Sequence, residues 1–465
     1  MNLSNCIILN IDSYKTSMWK QLPPNTSGVY SYVESRGGRY DEVVFFGLQA
    51  FIKEYLIKPI TQNDIDVADR IITQHGEPFN REGWEYILKE HNGYLPIVIN
   101  AVPEGSVVPI KNVLSTIENT DPKCAWLTTC IETALLRAIW YGSTVATQSW
   151  HIRQMILSYL EETGDPTIID FKLHDFGARG VSTLESAVVG GAAHLVNFLG
   201  TDNISALLFA EEYYSEQMAG FSIPASEHSI SCAYGENERE YVLTMLNNFA
   251  KPGKLFAMVA DTYNVFDFCR MLGEDTEIRE KIENHSKTGG LVIIRPDSGD
   301  PTSVCSDIVQ ILDEQFGSYI NDKGYKVLNC VRIIQGDGVN EDSIKSILER
   351  FKELGYSTDN IAFGMGGALL QQLDRDTQKF ALKCSAIRID GVWKNVNKSP
   401  ITDSGKASKA GRWTLYQNEA GEYHSAIDDS AAIPALMSVF KNGQLMTEYT
   451  FKQIRKNSGM YRSSK

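Results

Sequence analysis

Acidic and basic residues recur in this chain just past short apolar runs. Asp175 and Arg179 follow residues 171–173, in His174-Asp175-Phe176-Gly177-Ala178-Arg179-Gly180. Asp202 closes Gly200-Thr201-Asp202, Asp261 follows 255–259, Arg295 and Asp297 follow 291–294, and Asp337 follows 331–334. Carboxylates at such points suit ribose hydroxyls or Mg²⁺, and arginines can grip a pyrophosphate through bidentate forks. A single Asp after a strand is usually a turn or cap residue, and Asp297 and Asp337 in Gly-containing turns also read as Asx-turns. The number of acids at successive run ends is what favours chemistry. His228, in Ser226-Glu227-His228-Ser229, has a carboxylate beside it and follows an expected strand at 220–224. Gly366-Gly367 stands before an expected helix at Ala368, where bare backbone N–H groups could cradle a phosphate; a structural left-handed turn would look the same. Arg375, expected two turns along that helix, and Lys383, on the next strand, could reach the same anion. No GxxxxGK[ST] loop occurs, which disfavours a Walker-type NTPase.

These residues need a frame. From about residue 171 onward, apolar runs of three to five residues alternate with amphipathic stretches at helical spacing, such as Ile308, Ile311, Leu312 and Phe316, or Ile344, Ile347, Leu348 and Phe351. Alternating strands and helices imply a parallel sheet, and several units in succession a barrel or partial barrel. The ends carrying the acids then share one face, where active sites form in barrels. Asn340 is an expected N-cap, Gly355 an expected stop, and Ser182 with Glu185 an expected capping box. Earlier in the chain, 7–11, 28–34, 95–103 and 107–109 read as strands. Residues 43–55 and 82–89 read as amphipathic helices, and 126–141 as a buried helix.

Composition removes other classes. The chain has 465 residues, 43% hydrophobic and 22% charged, so it is globular. A net charge of −14 repels nucleic acid and anionic membrane. No apolar run approaches a membrane span, and the first dozen residues lack a basic signal-peptide region. Eight scattered cysteines without a CxxC pair read as reduced core residues of a cytoplasmic protein, and the His and Cys spacing offers no closed zinc set. The residues alone thus reach a barrel-like enzyme handling a phosphorylated, Mg²⁺-dependent sugar substrate.

Motifs along nearly the whole chain resemble the nicotinamide phosphoribosyltransferases, of the type II phosphoribosyltransferase family. They are Asp12-Ser13-Tyr14-Lys15, Pro23-Pro24-Asn25-Thr26-Ser27, His174-Asp175-Phe176-Gly177, Gly200-Thr201-Asp202, Pro224-Ala225-Ser226-Glu227-His228-Ser229, Arg295-Pro296-Asp297-Ser298-Gly299, Gln335-Gly336-Asp337-Gly338 and Phe363-Gly364-Met365-Gly366-Gly367. Val439-Phe440-Lys441-Asn442-Gly443 and Ile454-Arg455-Lys456-Asn457 extend the likeness toward the C-terminus. The resemblance implies an incomplete TIM-like α/β barrel, residues 148–384, packed on an α+β domain built from both chain ends, 1–147 and 385–465. It implies a homodimer with shared active sites that joins nicotinamide to phosphoribosyl pyrophosphate. Phe176 and Tyr14 of a second subunit would sandwich the pyridine ring, and Asp202 would accept from its carboxamide. Asp297, Gly336 and Asp337 would hold the ribose, Arg179 and Arg295 would face pyrophosphate, and Asp261 and Asp297 would lie near Mg²⁺. Gly366, Gly367 and Arg375 would bind the 5′-phosphate, with Arg36, Lys383 and Lys398 nearby. His228, supported by Glu227, would be phosphorylated by ATP, the co-substrate. Ala178, Met365 and Ala368 depart from the family pattern.

Two rival readings share the fold. A nicotinate phosphoribosyltransferase must pair a substrate carboxylate, which an Asp at position 202 opposes. A non-catalytic binding or signalling protein would be expected to lose Asp297, Asp337 or His228, and all three are present.

Overall fold

The computed structural model describes residues 6–402 and 407–461. The chain forms two compact units, one of residues 1–147, 210–216 and 373–465, the other of 148–209 and 217–372.

The first unit centres on a seven-stranded antiparallel sheet. Its order is Val392–Asn395, Phe380–Ile389, Thr26–Ser35, Val113–Asn119, Ile97–Ala101, Met437–Lys441 and Gln444–Leu445. Strands from the C-terminal part flank strands from the N-terminal part on both sides. The return into this unit starts at Leu373 rather than at 385, because Phe380–Ile389 pairs along Thr26–Ser35. Residues 7–9 form a 3-10 turn instead of a strand: Ile7 and Ile8 are buried with no ladder partner, and a short apolar run does not itself distinguish the two. The expected helix at 43–55 divides into a strand, Glu42–Val44, and a helix that starts at Leu48 after Gly47 turns the chain at φ +107°. Residues 126–141 become a short turn, Leu127–Cys130, and the long helix Glu132–Thr163.

The second unit is the barrel-like one. Its strands are β1 (Leu173–Asp175), β2 (Gly200–Thr201), β3 (Leu255–Val259), β4 (Leu291–Arg295), β5 (Val331–Gln335) and β6 (Ile361–Met365). They pair in the order β2-β1-β6-β5-β4-β3, all parallel. The expected strand at 220–224 is reduced to one isolated bridge, with a second one residue beyond it. Phe221 pairs with Gly200 of β2, and Ala225 with Ala257 of β3. One short segment therefore spans both open edges and closes the ring. Ala257, Ile293 and Ile334 fill the interior, with Phe176, Ile223, Leu291 and Ala362 packed against them. Ile293 and Ile334, on the neighbouring strands β4 and β5, lie between Ala257 on β3 and Ala362 on β6.

Among the described residues, no helix is long and apolar enough to cross a membrane. All eight cysteines are free; five are buried, Cys130 and Cys384 are partly covered, and Cys232 is exposed rather than in the core.

Lys172, just before β1, is buried, and its Nζ donates to the carbonyls of Thr358 (2.9 Å), Asp359 (3.2 Å) and Ile361 (2.8 Å). These bonds tie the start of β1 to the start of β6. Three acceptors suit an ammonium, but burial outweighs them and pulls the amine down to about 7 from 10.5. Between those values the unfolded chain holds a proton that the folded chain does not. Folding stability should therefore rise with pH from about 7 toward 10, by at most ~1.4 kcal/mol per pH unit from this group. Denaturant unfolding at pH 7 and pH 9 should show that rise in the parent and a smaller one in Lys172→Met; equal rises would exclude Lys172 as the source.

Candidate functional site

The βα loops of the second unit keep capping and candidate chemistry on different residues. The helix after β4 is capped by Asp300, whose Oδ1 accepts from Ser303 N at 2.8 Å, and Asp297 is left over. After β5, Asn340 forms a capping box with Ser343 and Asp337 is left over. After β3, Asn264 accepts from the amides of Phe266 and Asp267, and Asp261 is left over. After β1, the cap is Thr183 with Ser186, not Ser182 with Glu185; one residue of slippage puts the hydroxyl where the first free amides point. The turn-residue reading holds for Asp175. It is fully buried and accepts from Gly177 N (2.7 Å) and Asn203 Nδ2 (3.1 Å), and burial pushes it up to about 6.

The leftover residues converge. His228 Nε2 donates to Asp261 Oδ1 at 2.9 Å, and its Nδ1 lies 3.7 Å from Asp297 Oδ2. Arg295 Nη2 lies 3.8 Å from the same Asp297 oxygen. Arg295 Nε is buried without a hydrogen-bond partner, so the guanidinium keeps donor capacity. The carboxylate of Asp261 is only 6% exposed, whereas the imidazole is 40% exposed, so the ring is held from below and open above. Asp261 and Asp297 both face the same imidazole, and carboxylate oxygens are the donors that hard cations such as Mg²⁺ take. The expected support from Glu227 is not found: that carboxylate turns to Ser229 Oγ at the helix start, and Asp261 is the partner of His228.

Phe176 sits beside this cluster. A Cβ on Gly364 would lie 1.9 Å from Phe176 Cε2, and one on Gly336 would lie 3.1 Å from Asp297 Oδ1 and 3.6 Å from both Phe176 Cε2 and Arg295 Cδ. The two glycines let the ring settle onto the strand ends. Asp202 is exposed and accepts from Ser222 Oγ at 2.5 Å, a partner on the barrel-closing segment. Asp337 is exposed, its carbonyl held by Gln335 Nε2 at 2.7 Å. Arg179 is exposed on a 3-10 turn whose Gly180 lies against Gly367. Gly366 has φ −96° and ψ −113°, and neither it nor Gly367 has a positive φ, so the left-handed-turn reading does not apply. A Cβ on Gly367 would meet nothing within 4 Å.

The remaining expected residues belong to the first unit. Tyr14 is 59% exposed. Burial lowers the Lys383 amine, and Arg36, Lys398 and Lys15 lower it further against the opposing pull of Glu132; these cations are neighbours. Arg36 Nε lies 3.4 Å from Glu34, while its Nη2 is buried without a partner. Arg375 is not on a helix. The helix at Gly367–Leu370 is one turn long, and Arg375 lies in a loop ordered by Asp374, with Asp376 as its ion-pair partner. The sequence reading missed Ser222, Gly364 and the His228–Asp261 pair. Alternation along 221–226 puts Ser222 and Ile223 on opposite sides and could have flagged the first; nothing local signals a pairing 33 residues apart.

Acids, arginines and a histidine gathered at the strand ends of a parallel barrel are the arrangement of an α/β-barrel enzyme. A family model described as the nicotinate phosphoribosyltransferase family matches residues 171–444, and one for the nicotinamide phosphoribosyltransferase N-terminal domain matches 6–99. The chain is 52% identical to a nicotinamide phosphoribosyltransferase of Xanthomonas campestris, covering 98% of both chains. It is 33% identical to one of Acinetobacter baylyi, over 96% of this chain and 95% of the other. The nicotinate-nucleotide pyrophosphorylase structure from Pyrococcus furiosus superposes with a TM-score of 0.62 at 16% identity, covering 100% of this chain and 99% of the other. Human nicotinic acid phosphoribosyltransferase gives 0.53 at 15% identity over 97% and 92%. The chain belongs to the nicotinate phosphoribosyltransferase family, where it groups with the nicotinamide phosphoribosyltransferases, and it is a pentosyltransferase.

The seating of Phe176 can be tested through its glycine. Gly364→Ala should displace the ring, lower activity at least tenfold and cost about 1–3 kcal/mol from overpacking. Gly367→Ala should melt with the parent. If Gly364→Ala matches the parent in both activity and melting, the ring does not depend on that glycine.

Proposed function

We propose that this enzyme transfers the phosphoribosyl group of phosphoribosyl pyrophosphate to nicotinamide, giving nicotinamide mononucleotide and pyrophosphate in NAD salvage, with ATP hydrolysis through phospho-His228. The observation that carries the reading is the convergence of His228, Asp261, Asp297 and Arg295 beside Phe176 at one end of the barrel. Departure of pyrophosphate leaves positive charge on the ribosyl ring, so the site must neutralise the leaving group rather than supply a strong nucleophile. Arg295 and Arg179 bring cationic donors, and Asp297 and Asp337 accept from ribose hydroxyls beside Gly336. Asp261 and Asp297 would hold Mg²⁺, which when bound supplies charge neutralisation at the diphosphate. Phe176 orients the base, which lowers the entropic part of the barrier. Gly366 and Gly367 take the 5′-phosphate.

The assembly is a cytoplasmic homodimer in which Tyr14 of a second subunit completes the stack. Ile204 and Leu208, one helical turn apart, are 74% and 63% exposed, and Phe171 pairs with Phe221 on the surface. A second copy is the natural cover for such groups.

Asp202 decides between the pyridine bases. An ionised Asp accepts from a carboxamide NH₂ and repels a carboxylate. Ser222 occupies only one of its oxygens. Asp202→Asn should cost about 2–4 kcal/mol of discrimination between nicotinamide and nicotinate, read as a ratio of kcat/KM values. An unchanged ratio removes Asp202 from that role, and faster turnover of nicotinate by the parent overturns the choice of base.

His228 is tested through ATP. His228→Ala should abolish ATP hydrolysis and the gain in mononucleotide yield that ATP brings, while leaving slower ATP-independent transfer by Asp297, Asp337, Arg295 and Phe176. Full ATP stimulation in the variant would show that His228 carries no phosphoryl group.

A further inference from the structure

The barrel-closing segment leaves the sheet at a defined point, and side chains define it. Alongside β3 the backbone ladder is regular up to Ala257: Ala257 N donates to the Pro224 carbonyl at 2.9 Å, and Ser226 N donates to the Ala257 carbonyl at 3.2 Å. The next rung of a parallel ladder would join Val259 N to the Ser226 carbonyl, and His228 N to the Val259 carbonyl. Neither bond forms. Val259 N donates instead to Ser226 Oγ at 3.0 Å, and the Val259 carbonyl accepts from Tyr241 Oη at 3.1 Å. Ser226 Oγ and Tyr241 Oη lie 2.5 Å apart. The tyrosine proton is committed to Val259, so the serine proton closes the circuit. Three hydrogen bonds thus satisfy both polar groups of Val259 with hydroxyls in place of backbone. The circuit is buried: Ser226 is 6% exposed, Tyr241 1% and Val259 1%. A buried peptide group left unpaired is costly, so the bonding of Val259 must be satisfied one way or the other.

The spacing gives the circuit its consequence. Ser226 is two residues before His228, and Val259 is two residues before Asp261. Pinning 226 to 259 therefore fixes the roots of both members of the His228–Asp261 pair. It also releases residue 228 from the ladder to begin the helix His228–Ala233. A second tie, Thr262 Oγ1 to Ser231 Oγ at 2.6 Å, holds the same two stretches one step further out.

We propose that the Ser226–Tyr241–Val259 hydrogen-bond circuit is a positioning device that sets His228 against Asp261, making Ser226 and Tyr241 positioning residues for the chemistry at His228. Without the circuit, the cheapest repair is to extend the ladder by one rung. That draws His228 N onto the Val259 carbonyl and takes its ring away from Asp261. The geometric claim stands on these contacts alone; its link to turnover rests on the reading of His228 given above.

The test uses full-length protein labelled with ¹⁵N-histidine, with the His228 ring signals assigned by their loss in His228→Ala. At one fixed pH, the parent should show a proton-bearing Nε2, as the bond to Asp261 requires. Ser226→Ala and Tyr241→Phe should each replace this with averaged ring signals. Ser226→Thr, which keeps the hydroxyl, should restore the parent pattern. Tyr241→Phe is nearly isosteric and carries the test if Ser226→Ala is too unstable to study. Parent-like His228 signals in the Tyr241→Phe protein would overturn the proposal, even if its melting temperature fell. Assays run in parallel separate the two ideas. The ATP-linked gain should fall at least tenfold in both hydroxyl deletions, with ATP-independent transfer reduced much less. An absent ATP effect in the parent would refute the phosphoryl reading of His228, while the ring signals would still decide the positioning claim.

Discussion

The second unit depends on closing a sheet whose own strands do not close it. Six parallel strands leave two open edges, each a row of unpaired backbone groups. The segment 221–226 meets both edges with only two bridges. Its brevity matters, because a full-length seventh strand would have consumed the residues that now work. Ser222 reaches Asp202, Ile223 packs into the interior, and Ser226 ends the pairing so that His228 can leave the sheet.

Phe176 ties this closure to the interior. Its ring packs with the inner layer and rests where Gly364 has no side chain. An aromatic face is therefore presented at the strand ends by the same packing that fills the barrel. The other residues of this apolar cluster are aliphatic, so the acids and arginines of the site lie at the strand ends above it.

Much of the second unit was legible in the sequence because each strand is short, apolar and followed by a turn, and each helix has a clear stripe. Ile344, Ile347, Leu348 and Phe351 are all buried, and Asn340 caps their helix. The first unit was less legible at 7–11 and 43–55. There, the apolar runs are short or mostly buried, and periodicity does not separate strand from turn. The 3-10 turn at Ile7–Leu9 and the break at Gly47 are set by tertiary contacts. The residues of the candidate site were legible by position, but their pairings were not. Glu227 stands next to His228 in the chain, and the family resemblance implies that it supports the ring. The helix start sends the Glu227 carboxylate to Ser229, and the partner comes from the end of β3. The sequence places Arg375 on a helix opening at Ala368, but that helix stops after a single turn, at Leu370.

The separation of caps from leftover acids also bears on how such a chain can change over generations. Asp300, Asn340, Asn264 and Thr183 hold the helices, while Asp297, Asp337, Asp261 and Arg179 hold none of them. A lineage could therefore exchange residues at the strand ends and explore new substrates without first finding compensating changes in the scaffold. The same separation leaves those acids unprotected by folding. Only continued use keeps them, so a copy released from its reaction would lose Asp297 or Asp337 long before it lost the barrel.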